Sequence, residues 1–473
     1  MTPHHRPTAC TLAALAALTG ALLSPSVQAQ SNDETLKELK ALRERVEKLE
    51  AQLKANQGAA KPAEPQWGMT PQQVQDFNRI AVKTEALEDA VEAQGLKQLK
   101  IAGYIDPTYI YNQRQRRSGF QLLNRVSDDG YNYDNSYFGV LSLDFQKEME
   151  GGTKWRLTLM PNRGAGSIAD SSGNSVVHEA SVMIPLGDLQ TRFIAGQIPD
   201  WSGYEYVQPI ATKLVTRGLL LDFTEPTAYT GAGMEYIRGK WDTKWLLANY
   251  NTTKNAQGQR SPVLAYRVDY SKGEFNGFGF AGVHGKVANF RDTSDNPKAT
   301  RLDLFEADAY FIRGDFTWQG QIGIGGQKKA AIAADADGNL QDSRWLGVST
   351  LLAYKFIPRW EAVARLDYIK NTKNGGGLLG YTSNDGRNGI GQGVIGTTTP
   401  DAESSAAPEP ILSAKGANRT ALAVGFNFLY NLNTTFKAEY RLDQASQPVF
   451  FDVASGGYRK SNQLFGTSVV VSF

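Results

Sequence analysis

The chain has 473 residues, a formal net charge of +2 at pH 7 and a single cysteine. Such a balance is not the basic footprint of a nucleic-acid binder. Cys10 lies in the N-terminal apolar segment, so no thiol beyond it serves a disulfide, a thiolate metal site or a cysteine nucleophile.

His4, His5 and Arg6 are followed by an apolar run from Ala9 to Leu23 and a small-residue exit, Val27-Gln28-Ala29. This is the layout of a secretory signal peptide over 1–29, with cleavage expected before Gln30. Beyond it no run approaches about 18 consecutive apolar residues, which excludes a helical membrane protein. A β-barrel remains open, because its strands hide half their residues from lipid.

Residues 30–57 read as a coiled-coil helix. Ser31 to Glu34 fits a capping box, and Leu39, Leu42, Val46, Leu49 and Leu53 follow at spacings of three and four. A Pro/Ala linker spans 58–69. A second amphipathic helix is expected over 70–97, with Pro71 at its first position and Phe77, Ile80, Thr84, Leu87 and Val91 on one stripe. The two helices can pair with other copies of the chain, or fold on themselves or on the domain that follows.

From Leu99 the period changes from 3.5 to 2 and remains so over 98–473. Phe436, Ala438, Tyr440 and Leu442 alternate with Lys437, Glu439, Arg441 and Asp443, the pattern of a strand apolar on one side and charged on the other. Strands are expected at 99–112, 136–148, 153–161, 176–185, 189–197, 229–238, 241–250, 262–271, 276–289, 301–313, 315–327, 344–356, 359–370, 418–430, 433–445 and 461–473. Short turns, such as Gly239-Lys240 and Ile357-Pro358, alternate strictly with long loops, such as 198–228 and 371–417. That alternation predicts an all-β, 16-stranded antiparallel transmembrane β-barrel with both ends in the periplasm. Aromatics such as Trp241, Phe356, Trp360 and Tyr430 crowd the short-turn ends, as an interfacial girdle would. On the last strand Phe465, Thr467, Val469, Val471 and Phe473 take every second position. Among them Phe465, Val469, Val471 and the terminal Phe473 resemble the signal by which the barrel-assembly machinery recognises its clients.

Inward positions carry both signs of charge. Arg156, Arg192, Lys244, Arg267, Arg365, Lys437 and Arg441 form a basic lumen wall, against Asp269, Glu306, Asp308, Glu361, Asp367, Glu439 and Asp443. Segregated rows would set a transverse field across a pore, and interleaved ones would be cross-strand salt bridges. Both arrangements fit the pattern. Asp335-Ala336-Asp337-Gly338-Asn339 lacks the spacing to a bidentate glutamate and reads as a turn, not a calcium loop. Beyond the signal only His178 and His284 remain, with no Ser/His/Asp constellation, so neither an enzyme nor a metal or cofactor site is expected.

Together these features resemble the general bacterial porin superfamily, and in layout the phosphate-selective porin O/P family. The resemblance implies an outer-membrane porin of a Gram-negative bacterium, a water-filled channel for small hydrophilic or anionic solutes. It also implies a homotrimer in contact with outer-membrane lipid and lipopolysaccharide, with the N-terminal segment in the periplasm and the coiled coil able to reach peptidoglycan. Porins of this kind fold their third long loop inward, which here makes 198–228 the constriction, with Lys213 and Arg217 opposite Asp222 and Glu225. The O/P family's arginine ladder finds no residue-by-residue counterpart, so phosphate selectivity is not carried over. The other reading of the same features is a structural or adhesive barrel tethered to the cell wall through its coiled coil.

Overall fold

The computed structural model describes residues 43–48, 51, 70–93, 98–123, 138–161, 176–250, 258–271, 275–289, 291–378, 391–397 and 409–473. The signal peptide, the Pro/Ala linker and most of the first helix lie outside the described residues. The chain divides into two units, Met1–Lys97 and Gln98–Phe473.

In the first unit, helix α1 runs Pro71–Ala93. Its start is held by reciprocal bonds: the Thr70 N–H donates to Gln73 Oε1 (2.9 Å) and the Gln73 N–H to Thr70 Oγ1 (3.3 Å). These satisfy two of the donors that a helix leaves open at its first turn. Phe77, Ile80 and Val82 stand exposed along it.

The second unit is a closed antiparallel barrel of sixteen strands. Strand β1 comprises Leu99–Ile105 and, beyond Asp106-Pro107, Thr108–Asn112. β2 is Leu141–Glu148, β3 Lys154–Leu159, β4 Val177–Leu186, β5 Asp188–Pro199, β6 Ala228–Arg238, β7 Trp241–Tyr250 and β8 Val263–Ser271. β9 is Asn276–Val287, β10 Thr300–Arg313, β11 Phe316–Gln327, β12 Trp345–Ile357, β13 Trp360–Lys370, β14 Arg419–Asn431, β15 Thr434–Ala445 and β16 Ser461–Ser472. The one marked departure from a simple wall is in β1. Pro107 has no N–H to give to a ladder, and at that point the strand changes neighbours. β16 lies along one side of both halves (Tyr104↔Ser472 and Ile105↔Val471, then Thr108↔Ser468 to Asn112↔Leu464), while on the other side the partner changes from β2 (Leu99↔Lys147 to Ile105↔Leu141) to a short strand at Arg117–Gln121.

Side chains alternate as the pleat requires. On β15, Lys437, Glu439, Arg441 and Asp443 are buried inside, while Phe436 and Tyr440 face out and are each 43% exposed. The outward rows of Leu, Val, Ile and Phe form the face that meets lipid. At the short-turn ends aromatic rings pack together, Trp241 on Tyr270 (4.8 Å between centroids) and Trp360 on Phe428 (4.7 Å). Gly239 and Gly314 make tight turns with φ +62° and +58°, a region open to glycine at no steric cost. The loop 371–417 carries a small hairpin, Gln392–Thr397 with Pro410–Gly416, which the period-2 reading did not anticipate.

Candidate functional site

The segment between β5 and β6 does not leave the barrel. Its neck is closed by the pair Pro199↔Ala228 and by the Asp200 N–H on the Thr227 carbonyl (3.1 Å), and the chain then turns into the lumen. The apolar run supplies the drive. Leu219, Leu220 and Phe223 fall in a short helix, α2 (Leu219–Phe223), and join a core with Leu246, Trp345, Ile369 and Ala421 of the wall. Leu214 and Tyr204 pack with Leu351, Val363 and Ala423. The wall is carved to receive them. A Cβ on Gly347 would stand 2.9 Å from Leu220 Cγ, and one on Gly425 would stand 2.7 Å from Leu214 Cδ2. At such separations any larger side chain displaces the loop.

Polar groups then bind the loop to β11–β15. Thr216 gives its N–H and hydroxyl to the two oxygens of Glu439 (2.7 and 2.6 Å). Arg441 Nη1 donates to the Arg217 carbonyl (2.8 Å), and Arg365 Nη1 to Glu205 Oε1 (2.7 Å) and the Thr216 carbonyl (2.9 Å). Lys437 Nζ bonds the carbonyls of Pro209 (2.7 Å) and Thr212 (2.6 Å), and Gln321 Nε2 donates to Glu225 Oε1 (2.6 Å). A buried charge is tolerated only when paired or hydrogen-bonded, and here the loop provides the partners.

The opposite side of the loop is open. A cavity of about 370 Å³ separates it from β3–β7, with Arg156, Glu179 and Lys244 on the wall facing Asp200, Trp201, Glu205, Asp222 and Glu225. The wall cations are interleaved with carboxylates. Arg156 Nε bonds Asp144 (2.9 Å) and its Nη1 lies 3.3 Å from Glu179, while Arg192 and Lys244 converge on Glu235 at 3.0 and 3.3 Å. Arg267 pairs with Asp269 and Asp308. On the loop, burial pushes the Asp222 carboxyl up to about 7 and that of Asp200 up to about 6.

The residues singled out in the sequence therefore separate into four places. Arg156 and Lys244 line the cavity with Asp222 and Glu225, and Arg192 and Arg267 continue the same open half of the wall. Arg365, Lys437 and Arg441 lie beneath the loop and hold it. Lys213 sits toward the short-turn end on Glu361 (2.6 Å), beside Arg359 and Lys355. Arg217 turns its guanidinium into the loop itself, donating to the carbonyls of Tyr206 (2.9 Å), Val215 (3.1 Å) and Val207 (2.6 Å). Lys213 and Arg217 thus do not stand across an opening from Asp222 and Glu225, because an arginine on a buried loop meets backbone carbonyls before it meets water. The cavity also takes in Glu179, Asp200 and Glu205, to which the sequence reading assigns no role. Glu179 shares its inward parity on β4 with Ser181, a signal available from the pattern, whereas Asp200 and Glu205 lie in a loop without any period. Asp335 accepts from the N–H groups of Asp337 (3.1 Å) and Asn339 (2.7 Å), as an Asp-capped turn.

Among solved structures, the outer membrane channel DcaP of Acinetobacter baumannii is similar at 13% identity and a TM-score of 0.49, covering 79% of this chain and 97% of that one. An anion-selective porin from Comamonas acidovorans is similar at 10% and 0.46, covering 79% and 99%. OmpT, an outer membrane protein of Vibrio cholerae, is similar at 9% and 0.47, covering 79% and 97%. Identities this low transfer no residue roles. No curated protein matches. A family profile matches residues 66–261 and 277–473, which is most of the chain, and the protein therefore belongs to the family described as "Protein of unknown function (DUF3138)".

Proposed function

We propose that the protein is an outer-membrane porin, a water-filled channel for small hydrophilic solutes, anions among them. One observation carries this reading: a loop bound to one side of the lumen leaves a cavity on the other, lined by Arg156, Lys244 and Glu179 of the wall and by Asp200, Glu205, Asp222 and Glu225 of the loop. In a narrow, partly desolvated space a charge acts on a passing ion far more strongly than at an open surface. Arg156 and Lys244 would draw anions, and Asp200 and Asp222, once ionised, would draw cations along the opposite side. The constriction is accordingly assigned between these two sets, with Lys213 and Arg217 outside it.

The outward apolar rows and aromatic girdle support insertion among outer-membrane lipid and lipopolysaccharide, and the terminal Phe473 supports delivery by the barrel-assembly machinery. An even number of strands returns both chain ends to one side, the periplasm in this reading. Exposed Phe77 and Ile80, on one stripe of α1, favour association of the helical segments, consistent with a homotrimer and with a reach toward peptidoglycan. Purified protein in planar bilayers should give unitary currents whose reversal potentials in salt gradients report the anion-to-cation ratio. Folded protein that inserts and carries no current would overturn the proposal.

A further inference from the structure

The outer face of the barrel holds a second cavity, separate from the lumen. It is a hollow of about 560 Å³ toward the long-loop ends of β10–β13. Its floor is the cross-strand pair Phe305↔Ile324, whose side chains face outward and are about 40% exposed. Gly326, the register partner of Asp303, has no side chain to fill the space. Around the rim stand Arg301, Lys328, Arg344 and Lys373, with the carboxylates Asp303 and Asp342.

The carboxylates are already committed. Arg301 Nε and His284 Nδ1 hold Asp303 at 2.6 and 3.0 Å, and Lys328 Nζ holds Asp342 at 2.6 Å. Lys373 adds only a longer-range attraction to Asp342. The exposed guanidinium of Arg344 makes no hydrogen bond or ion pair among the described residues. The rim thus keeps surplus positive charge directly above an apolar floor that continues into the outward band of Val348, Leu352 and Leu366.

We infer that this hollow binds an amphiphile with a phosphate-bearing head, a phosphorylated lipid of the leaflet on the long-loop side. Arg344 and Lys373 would take the phosphate and Phe305 with Ile324 the first part of an acyl chain. A free anion would use the rim alone and leave the floor without a partner, which is why the lipid is preferred. The inference rests on the barrel spanning a membrane and not on conduction. Arginine with lysine at a lipid headgroup is the usual arrangement for anionic-lipid recognition.

The test uses the full chain, purified in a neutral detergent and titrated with bisphosphorylated lipid A, with its dephosphorylated form and with inorganic phosphate, by native mass spectrometry. The bisphosphorylated form should bind at least about ten-fold more tightly than the dephosphorylated one, inorganic phosphate at equal concentration should not displace it, and high salt should weaken it. Arg344→Glu with Lys373→Glu should lose at least about ten-fold in affinity. Arg313→Glu, on the same face of β10 at its other end, should leave binding unchanged. Heat-modifiable gel mobility verifies that each variant is folded, and Arg344→Ala with Lys373→Ala replaces the double glutamate if that does not fold. Equal binding by wild type and the rim variants, equal binding of the dephosphorylated lipid, or full displacement by phosphate overturns the inference. Binding without ion current would retain it and remove the channel reading instead.

Discussion

Arg217 and Arg156 carry the same group into different surroundings, and the difference sets what each does. Arg217 spends its donors on three carbonyls of its own loop, so Arg217→Ala leaves buried acceptors unpaired at about 1–3 kcal/mol each. The expected result is a loop cut more readily by protease and a noisier, larger conductance, with little change in reversal potential. Arg156→Ala with Lys244→Ala should do the reverse, moving the reversal potential toward cations while protease resistance stays as in wild type. Asp222 adds a pH dependence with a definite sign. Burial raises its carboxyl from 3.8 to about 7, so between those values the folded protein holds a proton that the unfolded chain has lost. The associated stability is present below about pH 4 and disappears as pH rises to about 7; Asp200, raised to about 6, acts in the same direction. Cation preference should accordingly increase from pH 5 to pH 8, with the melting temperature falling, and Asp222→Asn should flatten the upper part of both curves. A pH-independent reversal potential in wild type would place Asp222 outside the conducting path.

At the scale of elements, the loop and the wall were shaped for one another. Leu219-Leu220-Leu221 announces in the sequence a segment that has to be covered. The receptor for it is a set of glycines and alanines spaced along several strands, and no local pattern marks Gly347 as the seat of Leu220. Gly347→Val would push a methyl group into Leu220, since even a Cβ falls 2.9–3.3 Å from its three outer carbons. The variant should insert and close normally yet conduct more, with its loop loosened. Adding Leu220→Ala should restore conductance partway by making room. If Gly347→Val conducts as wild type, the loop is not held by this contact.

For the whole molecule the decisive event is closure of β1 on β16. The Phe473 N–H donates to the Gly103 carbonyl (3.0 Å) and the Gly103 N–H to the Phe473 carbonyl (3.2 Å), and the Phe473 ring covers the space a Gly103 Cβ would occupy. Phe473→Ala should therefore lower the amount of folded barrel in the outer membrane several-fold, as measured by heat-modifiable mobility of membrane fractions, while total synthesis is unchanged. Normal levels would show that the terminal ring is dispensable for assembly. The Asp106-Pro107 break acts on the same seam: β1 keeps β16 as a partner on both sides of it and exchanges β2 for the short strand Arg117–Gln121.

Sixteen strands, their inward and outward faces and the alternation of short turns with long loops were legible in the amino-acid pattern. Trp241–Tyr250 coincides with its expected bounds, and Lys437, Glu439, Arg441 and Asp443 have their expected inward parity. These are local properties, because a period of two places every second side chain on one face wherever the strand lies. Which inward charges meet the loop and which face the cavity follows from the tertiary packing alone. Lys437 and Arg156 have the same parity, yet one binds the carbonyls of Pro209 and Thr212 and the other borders the cavity. Their separation follows from the curvature of a closed barrel and from the side on which the loop finds small residues to pack against. Neither is written in the spacing of any one strand, since both depend on residues brought together from more than a hundred positions apart.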